Sequence, residues 1–232
     1  MIALAQRALD APEFMDDPLC DPRRLARTYR NFAFLNRIVG RWPLIYRTHI
    51  RPALDPSGPN SLLDIGFGGG DITRRIAAWA ARDGISLNVT AIDPDPRALA
   101  FASAKAAASG VEFQSATSSA LVAEGRRYDV VISNHVLHHL DEGLDDFLRD
   151  SERLASRLVV HSDIERSGWA YVAYAVLALP LAVRSFAHAD GLTSIRRSYT
   201  RAELSNAVAA TWGVERARPS RLIVTHTTDG RA

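Results

Sequence analysis

Ser61-Leu62-Leu63-Asp64-Ile65-Gly66-Phe67-Gly68-Gly69-Gly70-Asp71 is the stretch that decides the fold of this 232-residue chain. A short apolar run leads into a glycine-rich turn, and an amphipathic pattern over 72–82 follows, so the glycines fall where a strand hands over to a helix. Glycine suits that place because the chain must turn tightly and because a Cβ would hold a ligand away from the backbone. The turn reads as a ligand loop, with a plain tight loop as the alternative. In the dinucleotide fingerprint G-x-G-x-x-G the third glycine would stand at position 71, which is Asp71 here. The glycines instead fall at Gly66, Gly68 and Gly70, with the acidic Asp64 just before them.

From Ser61 onward short apolar runs alternate with helical patterns, the signature of βαβ units and a parallel sheet. Strands are expected over 62–65, 88–92, 111–114, 129–133 and 158–162, with a terminal pair over 213–218 and 222–227. Helices are expected over 72–82, 97–109 and 143–154. The fold class is therefore α/β, a seven-stranded, mostly parallel sheet with helices on both faces. Residues 1–60 read as an N-terminal helical extension: Asp21-Pro22 starts a helix, Leu25, Tyr29, Phe32, Leu35 and Val39 recur at helical spacing, and Gly40 stops it. A second helical piece is expected over 43–54, and 55–60 is turn chemistry. So short an apolar face needs a partner, which makes 25–54 a lid over the core at 61–232.

Asp93 closes the second expected strand and is followed by Pro94-Asp95-Pro96. A carboxylate there can accept hydrogen bonds from both hydroxyls of a ribose; its plainer reading is an N-cap for the helix that follows. His135, His138 and His139 lie just past the fourth expected strand, at the sheet edge where ligands bind in such folds. No Cys or carboxylate pattern accompanies them, so no metal is expected.

Composition narrows the classes. With 47% apolar and 23% charged residues the chain has the profile of a soluble globular enzyme. A net charge of +2 is too small for a nucleic-acid footprint, and no nucleic-acid partner is expected. Lys105 is the only lysine, a skew toward arginine from which no function follows. Cys20 is the only cysteine, which excludes an internal disulfide and suits a reducing compartment. The first ten residues lack the apolar core of a secretory signal, so cytoplasmic residence is expected. The apolar stretch from Trp169 to Val183 falls short of the roughly 20 residues a bilayer needs and is interrupted by Pro180, so a cap or buried helix is expected in place of stable membrane insertion.

Asp64 with the three glycines, Asp93, and then Tyr128-Asp129-Val130-Val131-Ile132-Ser133-Asn134-His135-Val136-Leu137-His138-His139-Leu140 resemble motifs I, post-I and IV of class I S-adenosylmethionine-dependent methyltransferases. The resemblance runs in order over 61–163, and within the class it is greatest to the small-molecule enzymes of the ubiquinone and menaquinone methylase-like group. It implies a Rossmann-like sheet with an antiparallel last strand, and S-adenosyl-L-methionine bound at the carboxyl ends of the strands by Asp64, Gly66, Gly68, Gly70, Asp93, Pro94, Asn134 and His135. The implied reaction is methyl transfer to oxygen or carbon of a small aromatic or apolar acceptor such as a phenol, a quinol or a polyketide-like product. One departure follows the third strand: the acidic residue that usually meets the adenine amino group is replaced by Ala116-Thr117-Ser118-Ser119, leaving Thr117 or a backbone group.

Related natural-product methyltransferases use a paired histidine after motif IV, with an aspartate ending the fifth strand, as a base assembly. The matching positions are His138, His139 and Asp163; the alternative is that the pair only shapes the pocket. A lid insertion is implied over 165–200, where Trp169, Tyr171, Tyr174 and Phe186 suit an apolar acceptor and Arg196, Arg197 and Tyr199 would orient it. Core packing or a homodimer contact are the plainer uses of that apolar helix. A nicotinamide-dependent oxidoreductase would share the fold, but the glycine spacing opposes it. A noncatalytic cofactor-binding scaffold is the other competing reading.

Overall fold

The structure, a computed structural model, describes residues 4–104 and 110–228. Seven strands build one sheet: β1 (Asn60–Ile65), β2 (Leu87–Asp93), β3 (Val111–Ser115), β4 (Tyr128–Asn134), β5 (Ala155–Ile164), β6 (Gly213–Ala217) and β7 (Arg221–Thr227). Their spatial order is β3-β2-β1-β4-β5-β7-β6. The first five are parallel, while β7 runs antiparallel to both β5 and β6. The expected mostly parallel sheet and its antiparallel last strand are both present.

Ahead of the sheet lie α1 (Pro22–Val39), α2 (Trp42–Ile45) and α3 (Arg51–Ala53), the last two joined by a π turn over Tyr46–Ile50. Between and after the strands run α4 (Asp71–Arg82), α5 (Pro96–Ser103), α6 (Ser118–Ala123), α7 (Leu144–Leu154), α8 (Gly168–Leu177), α9 (Ala187–Arg197) and α10 (Arg201–Ala207). The expected helix over 97–109 ends with five positions that lie outside the described residues. α6 falls in a stretch where no helix was expected.

Strand alternation sorts the apolar side chains into two cores. Leu62, Ala91, Val130, Ile132 and Val160 face one side, with Ile72, Ile76 and Ala80 of α4 and Leu25 and Tyr29 of α1. Leu63, Ile65, Val131 and Val159 face the other, against Leu144, Phe147, Leu148 and Leu154 of α7. The spacing of each helical set puts it on one stripe. Trp42, Ile45, Tyr46 and Ile50 are fully buried in the first core, so the N-terminal helices share the sheet's interior. Among the described residues no helix is long and apolar enough to cross a membrane.

The turn after β1 is held by packing as well as by hydrogen bonds. Gly66, Gly68 and Gly70 all have positive φ, at 77°, 51° and 67°. A Cβ on Gly70 would lie 2.8 Å from the Phe113 ring and 2.9 Å from the Arg74 guanidinium. Gly70→Ala should therefore lower stability by about 2–3 kcal/mol, combining a left-handed backbone penalty of roughly 1–2 kcal/mol with overpacking. Thermal unfolding should move down by about 4–10 °C. An unchanged midpoint would remove the steric constraint.

Candidate active site

In this strand order the chain leaves β1 toward β2 and β3, then returns to the other side of β1 with β4. At such a reversal the loops diverge and leave a crevice at the carboxyl ends of the strands. A cavity of about 650 Å³ opens there. One end is walled by Asp64, Gly66, Gly68, Asp71 and Asp93, the other by Glu13, His138 and His139, with side chains of α1 and α8 over both.

Asp93 ends β2 with both oxygens engaged by backbone: Gly68 N–H donates at 2.8 Å and Asp95 N–H at 2.9 Å. Those bonds aim the carboxylate and tie the glycine turn to β2. Burial raises its pKa, and these amides partly offset that. The helix-capping role falls to Asp95, whose side chain accepts from Arg97 N–H. Asp64 is 2% exposed; Thr73 Oγ1 donates to its Oδ2, while Oδ1 has no protein partner. Burial pushes its pKa up to about 7, against the hydrogen bond from Thr73. A buried carboxylate oxygen without a donor marks a place for a ligand's N–H or O–H.

The other end is organised by Asp163, at the close of β5. Its Oδ2 accepts from His138 N–H at 2.9 Å and its Oδ1 from His138 Nδ1–H at 2.8 Å. His138 is 2% exposed, and its Nε2 faces Glu13 Oε1 at 3.4 Å. Burial disfavours charge on this ring, but Asp163 and Glu13 outweigh it and raise the pKa to about 10. His138 is therefore an imidazolium at neutral pH, held between two carboxylates. The neighbouring His139 is pushed down to about 4 by burial and by the charge on His138, and is neutral. Burial works to raise Asp163 as well, yet His138 holds it well below the usual carboxylate range.

His135 has a left-handed backbone, φ 62°, unusual for a side chain with a Cβ and common at functional sites. Arg221 donates from NH1 to His135 Nε2 at 2.6 Å, so the His135 proton sits on Nδ1, 3.8 Å from Asp163. The second terminal nitrogen of Arg221 donates to Asn134 Oδ1 and Ser162 Oγ.

Of the residues singled out in the sequence, Asp64, Gly66, Gly68, Asp93, Pro94, Asn134, His135, His138 and His139 line the cavity. Asp163 lies behind His138. Gly70 packs on Phe113 outside the lining, and Thr117 serves as the N-cap of α6, accepting from Ala120 N–H. In the expected lid, Trp169 and Tyr174 line the cavity, while Tyr171, Phe186, Arg196, Arg197 and Tyr199 do not. Arg197 and Tyr199 instead hold the N-terminal segment and the loop after His139: Arg197 donates to Ala11 O and Tyr199 to Leu140 O. Glu13, Asp71 and Arg221 were not anticipated. Asp71 occupies the fingerprint's third glycine position and Arg221 opens an otherwise apolar strand, both legible signals. Nothing in the sequence ties Glu13 to the histidines.

Residues 62–157 match the family model of a methyltransferase domain. The chain is 32% identical over 130 residues to a ubiquinone biosynthesis O-methyltransferase of Methylobacterium sp. (strain 4-46), covering 50% of each protein. It is 32% identical over 142 residues to the enzyme of the same name from Methylobacterium nodulans, covering 56% of this chain and 55% of that one. The chain thus spans about half the length of the curated relatives it matches. Among solved structures, the plantazolicin methyltransferase BpumL in complex with SAH superposes with a TM-score of 0.64 at 15% identity over 91% of both chains. A SAM dependent methyltransferase from Aquifex aeolicus gives 0.58 at 15% identity, over 89% of this chain and 98% of that one. Both share the fold.

Glu13 reaches the histidines only because residues 13–15 are fastened to α9. Asp190 accepts from Phe14 N–H at 2.8 Å and Met15 N–H at 3.1 Å, and Ser194 Oγ–H donates to Glu13 Oε1 at 2.8 Å. Burial raises the Asp190 carboxyl to about 7, so Asp190→Ala removes two backbone hydrogen bonds worth roughly 0.5–1.5 kcal/mol each. Amide hydrogen exchange at Phe14 and Met15 should accelerate at least tenfold while β1 and β4 stay protected. Unchanged exchange at those two amides would mean that other contacts hold the segment.

Proposed function

We propose that this chain, whose residues 62–157 match a methyltransferase domain, is a class I enzyme that transfers the methyl group of S-adenosylmethionine to a hydroxyl oxygen of a small aromatic or apolar acceptor. The observation that carries the cofactor assignment is the charge at the glycine turn. Asp64, Asp71 and Asp93 all face the cavity there, and Asp64 Oδ1 lacks a donor. A dinucleotide would bring its pyrophosphate to the N-terminus of the helix after such a turn. Here that position is Asp71, so an anion would meet three carboxylates, whereas a ligand with an ammonium and a sulfonium would be welcomed by them. The residues fit S-adenosylmethionine: Asp64 would take the ammonium, Asp93 the ribose hydroxyls, and the Gly66–Gly68 turn would allow close approach. When bound, that cofactor supplies a methyl group on a sulfonium, open to displacement by an aligned nucleophile.

The protein's part is alignment, exclusion of water and management of one proton. Tyr29, Phe32 and Leu35 of α1 and Trp169, Ala173 and Leu177 of α8 supply an apolar roof suited to the acceptor's body. The acceptor oxygen would then lie against Glu13, His138 and His139: the Glu13 carboxylate can take its proton, and the His138 imidazolium, held by Asp163, would stabilise the oxyanion left behind. Asp163 fixes the ring of His138 through two hydrogen bonds and so positions it without touching the acceptor. The reading includes a small-molecule partner and a cytoplasmic setting. The O-methyltransferase names of the half-length relatives support oxygen over carbon as the acceptor atom.

Two measurements test this. Asp64 titrates at about 7 unpartnered, and pairing with an ammonium favours its ionised form. Binding of S-adenosylmethionine should therefore weaken as pH falls, by more than tenfold from pH 7 to 5.5, a range in which an α-ammonium stays charged. Calorimetry should show this for the native protein and not for Asp64→Asn; binding of NAD in place of S-adenosylmethionine would sink the assignment. At the other end, His138→Ala should leave cofactor affinity nearly intact while lowering turnover of a phenol or quinol acceptor by roughly 10² to 10³, the usual loss on removing one group that stabilises charge on the reacting oxygen. Near-native turnover in both His138→Ala and His139→Ala would reduce the histidines to shaping the pocket.

A further inference from the structure

His138 spends its Nδ1 on Asp163, so its Nε2 is the ring's remaining functional atom. That atom is buried and without a hydrogen-bond partner, in a residue that lines the cavity. Glu13 Oε1 lies 3.4 Å from it and 4.0 Å from Nε2 of His139, and the three ligand atoms sit within 4.8 Å of one another. In a tetrahedral site with bonds of about 2.0–2.1 Å, ligand atoms stand roughly 3.3–3.4 Å apart. The His138–Glu13 edge already has that length, the His139–Glu13 edge is longer at 4.0 Å, and all three edges lie within 4.8 Å.

The surroundings are those that metal-binding imidazoles need. A ligating histidine almost always gives its other nitrogen to a carboxylate or carbonyl, which fixes the ring and raises its basicity. His138 does so to Asp163 at 2.8 Å, and His139 Nδ1 faces Asp16 Oδ2 at 3.7 Å. Sequence alone did not connect Glu13 with the histidines; the fold brings it in from the N-terminal segment. A second cluster, His135, His138 and Asp163, is spoiled by Arg221, whose guanidinium donates to His135 and would repel a cation.

We propose that Glu13, His138 and His139 bind a divalent metal ion of the zinc class, with Asp163 and Asp16 as supporting carboxylates. The ion takes the place of the proton at His138 Nε2, and its fourth position opens into the cavity. A ligand oxygen there would have its pKa lowered by the ion. This deepens the proposed activity, because the ion would stand where the acceptor oxygen is expected, but metal binding can be measured without cofactor or acceptor.

The test is calorimetric titration of zinc into the chelator-stripped full chain, with cobalt(II) absorption as a second readout. One equivalent should bind with a dissociation constant in the micromolar range or tighter, and cobalt should give the visible band of a tetrahedral N/O site. His139→Ala and Glu13→Gln should each weaken binding by at least roughly tenfold, and Asp163→Asn by about 10–100-fold. Glu13→Gln keeps the size of the side chain, so it reports on ligation even if His138→Ala misfolds. Absence of a zinc isotherm, or one unchanged in His139→Ala and Glu13→Gln, overturns the site. Zinc bound here in a protein that methylates no hydroxyl acceptor would sustain the metal site and count against the proposed activity. Methyl transfer by a chain that binds no zinc would do the reverse.

Discussion

Asp163 is a carboxylate buried at the end of a central strand, where an ion without partners would cost several kcal/mol. It meets that requirement locally: the His138 amide, the His138 ring and the Ile164 amide all donate to it. Those bonds dictate what lies around it. The 3-10 turn Leu137–His139 must run directly over the end of β5, which puts both histidines at the cavity edge. Parallel pairing of β4 with β5, Asn134 beside Ser162, sets the height at which that turn begins. A register slip of one residue would invert every side chain on the strand and take Asp163 away from the turn.

The electrostatics at this end follow from the same residue. Asp163, Glu13 and Asp16 place three carboxylates around two adjacent imidazoles, and only one ring can hold a proton beside them without repelling the other. His138, bonded directly to Asp163, is that ring. Besides its contacts with α9, the N-terminal segment that delivers Glu13 is held by arginines bonded to backbone carbonyls. Arg7 donates to Arg197 O and Leu140 O, Arg97 to Met15 O and Asp17 O, and Arg166 to Leu4 O. A guanidinium carries several donors in a fixed fork, so one side chain spans two carbonyls where an ammonium would act as a point. The arginine skew that composition left without meaning has a structural use in this segment.

Most strands were legible because they carry short apolar runs, such as Leu62–Leu63, Val130–Ile132 and Leu158–Val160, and in a parallel sheet both faces are buried. The cofactor end was legible for a related reason: Asp64, the glycines and Asp93 come from one βαβ unit, so their spatial neighbourhood is also a sequence neighbourhood. The acceptor end was legible only in part. His138, His139 and Asp163 end adjacent strands, and strand ends are inferable once the sheet order is known. Glu13 was not, since it arrives through a segment with no regular structure beyond the turn Phe14–Asp16, fixed by tertiary contacts. Thr117 was assigned a ligand contact where the structure gives it a helix cap, because the short helix it starts has no sustained apolar period. The pair Arg196 and Arg197 was read toward the acceptor because a helix seen in sequence does not tell which of its faces meets the cavity.

These two modes of construction have different consequences for change. The cofactor end is built into the sheet: Gly66 carries no Cβ because Val136 stands where it would be, and Asp93 is bound into the turn by two amides. Altering any of these disturbs β1, β2 or β4, and with them the core. The acceptor end is assembled from residues 13–16, the roof side chains of α1 and α8, and the face of α9, none of which pairs in the sheet. The roof of α8 is loosely committed, with Trp169 at 57% and Leu177 at 79% exposed. Substitutions there change the shape offered to an acceptor while leaving the carboxylates and glycines of the cofactor end in place. The shape of that roof can therefore shift without loss of fold, whereas the charge pattern at the glycine turn, three carboxylates facing one cavity, is fixed by the same contacts that fix the sheet.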